Sequence, residues 1–394
     1  MNDLENRVRC LDWIDIDNKM WLVCPEYNGI FCVDKQSNTA HHEIFFNEYP
    51  KFNSGWWYLS LLKAGENIVC VPFKANHINI YSLNNHKVQS IQINEDINMH
   101  HEMYNLEKKY YRGYVNGNYV ILSAYDYPSI IYFNVSTYQI YYITNWFDNK
   151  RIDIYNSNYK CYFGDGIVQM KDEIYLPVNC FAAILILNLK SMKTQLKYLE
   201  CDSDGYEGIT LNDNYIYLVS RKSDKYYLVI WNIENNFIKE IGIPFHGLAF
   251  DWISFLRPLY FDSKIYLIPA TATHFYIVDL QACDVKIAEE LECIIAEFPQ
   301  NIQDFKIAQY EQNNNHITFH TWWDYKFHEY NLETGERRDY EIRLEDERYW
   351  QHYRNDLCEK MIQDGNIILE GTVTLNSFLE VVSNIHNNIA GNKV

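Results

Sequence analysis

The sequence predicts an all-β fold, a seven-bladed β-propeller of four-stranded antiparallel blades, and three observations carry that prediction. The first is an anchor that recurs seven times: an apolar strand running into Asp, Asn or Ser at residues 34, 82, 134, 188, 232, 279 and 331. The steps between these polar residues are 48, 52, 54, 44, 47 and 52, a period near 50 that contains no helical pattern. The second is another apolar strand about 10 to 15 residues before each anchor, as in Ile68-Val69-Cys70-Val71-Pro72 and Ile265-Tyr266-Leu267-Ile268-Pro269. The third is a short polar turn before that strand, such as Asp17-Asn18-Lys19, Asn116-Gly117-Asn118 or Asp262-Ser263-Lys264. Asn, Asp and Gly tolerate the positive φ that tight hairpins need.

Each unit therefore reads as strand a, tight turn, strand b, longer loop, strand c, turn, strand d. The predicted blades span residues 7–47, 55–94, 109–144, 160–200, 204–243, 250–290 and 302–344. The first closes on Phe31-Cys32-Val33-Asp34, the second on Ile80-Tyr81-Ser82 and the third on Tyr132-Phe133-Asn134. Ile186-Leu187-Asn188, Ile230-Trp231-Asn232 and Ile277-Val278-Asp279 close the next three. In the seventh, Lys326–Tyr330 is strand c, Glu333-Thr334-Gly335-Glu336 the turn and Asp339–Ile342 strand d. Two connections, 95–108 and 145–159, are long for a compact domain. Residues 1–344 are thus expected to form one ring, and 345–394 an appendage packed on it. A helix over 375–386 behind Thr374 is expected there, with a strand contributed to ring closure as the alternative.

Composition agrees with a sheet-rich ring. The chain has 34 Tyr, 20 Phe and 10 Trp, residues that suit pleated, half-buried surfaces. Its 52 acidic against 34 basic residues leave a net charge of −18, which repels a phosphate backbone, so no nucleic-acid partner is expected. No apolar run approaches a membrane span, and no basic and apolar leader opens the sequence. Ten cysteines without a CxxC pair read as reduced thiols, and the expected compartment is the cytoplasm.

The blade pattern resembles bacterial propellers of the kelch-like and virginiamycin B lyase-like group, most clearly at Asn331-Leu332-Glu333-Thr334-Gly335-Glu336. The resemblance spans about 340 residues. Kelch double glycines, Trp-Asp strand ends and the sialidase Asp box are absent, so the resemblance implies architecture and no catalytic residue.

In such a ring the strand-a starts and the b–c loops line one channel mouth. Trp56, Trp57, Tyr111, Arg112, Tyr206, Asp251, Trp252, Trp322 and Trp323 are the ligand-binding candidates there. Aromatic faces stack on a ligand, and charged groups orient it. His100, His101 and Glu102, with Asp165 and Glu207 across the channel, are candidates for acid, base or charge-stabilising roles. Gly-rich phosphate loops and the GxSxG elbow are missing, and neither a metal nor a cofactor is expected. The leading reading is a binding or scaffold protein holding a peptide, protein or glycan. A lyase or hydrolase acting on a peptide or sugar at the same mouth is the alternative.

Overall fold

The computed structural model describes residues 7–25, 27–46, 56–93, 108–148, 161–246, 253–298 and 305–344. They form seven antiparallel sheets, each a four-strand meander hydrogen-bonded in chain order. Blade one is Asp12–Ile16, Lys19–Cys24, Tyr27–Asp34 and Thr39–Phe45, and blade seven is Ile307–Asn313, His316–Thr321, Lys326–Asn331 and Arg337–Glu341. The expected appendage lies outside the described residues.

Both hairpin turns of every blade use a left-handed residue. In the a–b turns these are Asp17, Gly65, Gly117, Lys171, Asp213, Asp262 and Asn314, with φ between 47° and 60°. In the c–d turns they are Asn38, His86, Tyr138, Met192, Asn236, Cys283 and Gly335, always four residues past the anchor. The anchors recur because their side chains build this turn. Asn134 Oδ1 accepts from Ser136 N at 2.8 Å and Thr137 N at 3.1 Å. Asn188, Asn232, Asp279 and Asn331 bind the two corresponding amides in the same way. An Asp or Asn oxygen thus satisfies amides that leave the ladder at the end of strand c.

Tyr138 holds φ 59° while its ring is exposed. A left-handed conformation costs a non-glycine residue roughly 1–2 kcal/mol, and glycine returns part of that in chain entropy. Tyr138→Gly is therefore expected to raise stability by about 0.5–1 kcal/mol, read as a higher urea midpoint. An unchanged or lower midpoint would show that the turn carries no such strain.

Strands b and c are almost wholly buried, as in Lys19–Cys24 and Tyr27–Asp34, whereas strand d alternates or faces solvent. Blades pack face to face through aliphatic and aromatic side chains, so the core is a ring of inter-blade layers. The ring closes between its two ends. Arg343–Leu344 leaves blade seven and pairs in parallel with Thr39–Ala40, the outer strand of blade one. Val8 N donates to Ile342 O at 3.0 Å, and Arg7 pairs with Glu341 at 2.9 Å.

Candidate ligand-binding mouth

β-Bulges set the geometry of the mouth. In blades two, three, five and seven the register slips near the start of strand a, leaving Leu59, Tyr111, Glu207 and Ala308 without a paired residue on strand b. A bulge bends the strand and re-aims neighbouring side chains. Here it places consecutive side chains on the ring axis and at its mouth, where regular alternation would turn one of them away.

Just below the mouth the axis is filled by a knot of polar side chains. Asp12 of blade one accepts from Gln309 Nε2 at 2.9 Å, from Leu61 N at 2.9 Å and from the Ser60 hydroxyl. Arg112 of blade three donates through Nε to Asp165 Oδ1 at 2.7 Å and through Nη2 to Gln309 Oε1 at 3.1 Å. Asp165, at the start of blade four, also accepts from Arg257 N at 2.9 Å, with Arg257 Nη1 at 3.6 Å. Arg257 reaches back to Gln309 Oε1 at 3.1 Å and to Glu311 at 3.2 Å. Beside it, Glu207 of blade five binds Arg221 at 2.8 Å and accepts from Ser254 N and Phe255 N at 2.8 and 3.2 Å. Every blade contributes a group to one of these two clusters.

Asp165 and Glu207 are completely buried. Burial alone would raise the Asp165 carboxyl, but Arg112, Arg257 and the Arg257 amide hold it below its ordinary range. Arg112 is raised despite burial, chiefly by Asp165 and Tyr111. Both carboxylates are saturated with donors, an arrangement that fixes blades rather than one that moves protons.

Above the knot opens a shallow concavity, about 400 Å³ when the open solvent at its mouth is included. Trp56, Tyr111 and Trp322 are its aromatic walls, and Leu11, Leu59, Phe305 and Ala308 its aliphatic and further apolar lining. The Trp56 and Trp322 rings lie 5.2 Å apart at a tilt. Trp56 holds φ 51°, a strained conformation for a bulky residue and one that concentrates at functional sites. Arg112 alone among the lining residues carries charge. Its guanidinium covers the Tyr111 ring at 4.5 Å, and its Nη2 also reaches the Tyr111 hydroxyl at 3.4 Å. Its Nη1 has no hydrogen-bond partner among the described residues.

The structure therefore gathers Trp56, Tyr111, Arg112 and Trp322 at one basin and puts Asp165 beneath them. Trp57 packs beside the basin, its carbonyl accepting from Phe73 N and Ala75 N. Trp323 turns away toward Phe298, 6.3 Å between ring centroids. Tyr206 is buried, its hydroxyl 3.0 Å from Cys201 Sγ. His100, His101, Glu102, Asp251 and Trp252 lie outside the described residues. Gln309 and Arg257, central to the axis, were missed. Neither belongs to a motif, and only the ring brings Gln309 within reach of Asp12, 297 residues away.

No known protein family and no curated protein matches the sequence. Solved structures do match. Virginiamycin B lyase from Staphylococcus aureus is 13% identical with a TM-score of 0.54, over 82% of this chain and 94% of that one. A catalytically inactive form of that lyase with quinupristin gives 13% and 0.55, over 84% and 96%. A chain of a mitotic checkpoint complex gives 7% and 0.52, over 82% and 85%. At these identities the likeness is one of fold.

Proposed function

We propose that this chain is a binding propeller that holds a peptide or protein segment in the mouth basin. The observation that supports this reading most directly is the basin itself: three aromatic walls around one guanidinium whose Nη1 has no internal acceptor among the described residues. Aromatic and Arg side chains in a partly dehydrated pocket are the composition of interface hot spots. A glycan would call for more polar lining than Arg112 and the Tyr111 hydroxyl supply. The enzyme alternative needs an acid or base free to exchange a proton, and Asp165 and Glu207 are both committed to arginines. A scaffold role fits a rigid ring that presents one mouth. We place the protein in a reducing compartment such as the cytoplasm, a reading supported by nine free cysteines among the described residues. Among those residues no helix is long and apolar enough to cross a membrane.

Selection from a random peptide display library against the full chain tests this proposal. Peptides that enrich are expected to lose at least tenfold in affinity for Trp322→Ala, a loss of about 1.4 kcal/mol or more. Failure to enrich any peptide, or enrichment indifferent to Trp322, would overturn it.

A further inference from the structure

Resting on that reading, we infer that the basin selects a neutral aromatic or aliphatic group carrying an amide carbonyl, and that Arg112 Nη1 is the donor to that carbonyl. Arg112 is more than nine-tenths buried, lines the basin and spends Nε on Asp165 and Nη2 on Gln309 and Tyr111. Nη1 is the guanidinium nitrogen left without a partner among the described residues, and Arg112 lines the basin, so an acceptor on a ligand can take the place of water there. Which acceptor it takes is decided by charge. The carboxylates of Asp12 and Asp165 already balance the guanidiniums of Arg112 and Arg257, before Glu311 is counted. Within the knot no positive charge is left over to offset a carboxylate brought into the basin, and Arg9 lies behind the Trp322 ring rather than among the lining residues, so an anion would meet its dehydration cost without a matching counter-ion beside it. A cation is no better served. The ring faces that would hold it already carry guanidiniums: Arg9 covers Trp322 at 5.4 Å and Arg112 covers Tyr111 at 4.5 Å. A neutral carbonyl needs one donor and no counter-charge. An apolar side chain beside it finds Trp56, Leu59 and Trp322.

Calorimetric titration of the full chain with four probes of similar size tests this. They are N-acetyl-phenylalaninamide, N-acetyl-phenylalanine as its carboxylate, phenylalaninamide as its ammonium, and n-propylbenzene. The neutral diamide is expected to bind at least tenfold more tightly than each of the others. Arg112→Lys, which keeps the charge beside Asp165 but removes the Nη1 donor, is expected to abolish that preference. If this variant does not fold, the wild-type ranking decides alone. Tighter binding of the carboxylate or of the ammonium would overturn the inference, and so would diamide and propylbenzene binding equally. If no probe binds while display-selected peptides still bind through Trp322, the inference falls and the peptide-binding reading stands. If neither binds, both fall.

Discussion

Asp165→Ala is expected to cost the protein about 3–5 kcal/mol, the largest loss from any single side chain at the axis. The carboxylate sits between Arg112 at 2.7 Å and Arg257 at 3.6 Å and also accepts the Arg257 amide, with no exposure to water. Its removal leaves two dehydrated guanidiniums facing each other across the axis. Repulsion then replaces attraction where only the partly exposed Arg257 side meets screening water. Each guanidinium is also fixed elsewhere, Arg112 by Gln309 and Arg257 by Gln309, Tyr310 and Glu311, so neither can turn away without breaking bonds to blade seven. The damage therefore spreads through blades three, four, six and seven. Asp172→Ala is the control. It removes an ion pair to Lys190 in which both side chains are at least half exposed, a kind worth at most about 1 kcal/mol. Urea midpoints with matched slopes measure the two losses. Equal, small losses would mean that the axial knot does not hold the ring.

The same residues show how much of the molecule the sequence made legible. Blade number and strand order followed from the anchors because each anchor acts on its own neighbourhood. Asn134, Asn188 and Asn331 each cap the turn they precede. A local role leaves a local signal. The left-handed position four residues later leaves almost none. It is filled by Asn, His, Tyr, Met, Asn, Cys and only once by Gly, since surrounding strand pairing imposes the conformation on whatever residue is there.

The mouth was half legible for a related reason. Strand-a starts share one end of the ring, which is why Trp56, Tyr111 and Arg112 meet at one basin. Alternation along a strand, however, cannot foresee a bulge. Without the slips at Leu59, Tyr111 and Ala308 the parity of each strand a would send different side chains to the axis. Nor does spacing reveal partners across a ring. Asp165 and Glu207 sit at the entrances of adjacent blades, bridged between Asp165 and Gly208, yet each is matched to its own arginine rather than to the other. The Phe305 and Leu11 contributions come from ordinary apolar residues that carry no sign of a site.

A second large effect is expected below neutral pH, and it comes from His320 on strand b of blade seven. The ring is fully buried, 4.7 Å from Phe327 and 6.5 Å from Trp13, and neither of its nitrogens has a hydrogen-bond partner among the described residues. Burial, then the nearby His328 and Arg9, push the imidazole from an ordinary 6.5 down to about 3. Between those values the unfolded chain binds a proton that the folded chain refuses, so stability falls as pH falls. The contribution is complete above 6.5 and is lost progressively toward 3, on the order of 5 kcal/mol at roughly 1.4 kcal/mol per pKa unit. His328 is also lowered by burial, against the pull of Asp339, and acts in the same direction. Glu311, raised by its dehydrated surroundings although its side chain stays half exposed, opposes the trend weakly above its ordinary 4.5. Asp165, Asp279 and Asp339 are lowered and so add to the loss only below about their ordinary 3.8. The window from 6.5 to 4.5 therefore belongs mainly to His320. His320→Leu removes two unpartnered nitrogens from an apolar site, a change that is close to neutral or stabilising at pH 7. Its stability should then fall much less than that of the parent between pH 7 and pH 4.5, by urea denaturation at each pH. Parallel profiles for the two proteins would show that His320 is not the group responsible.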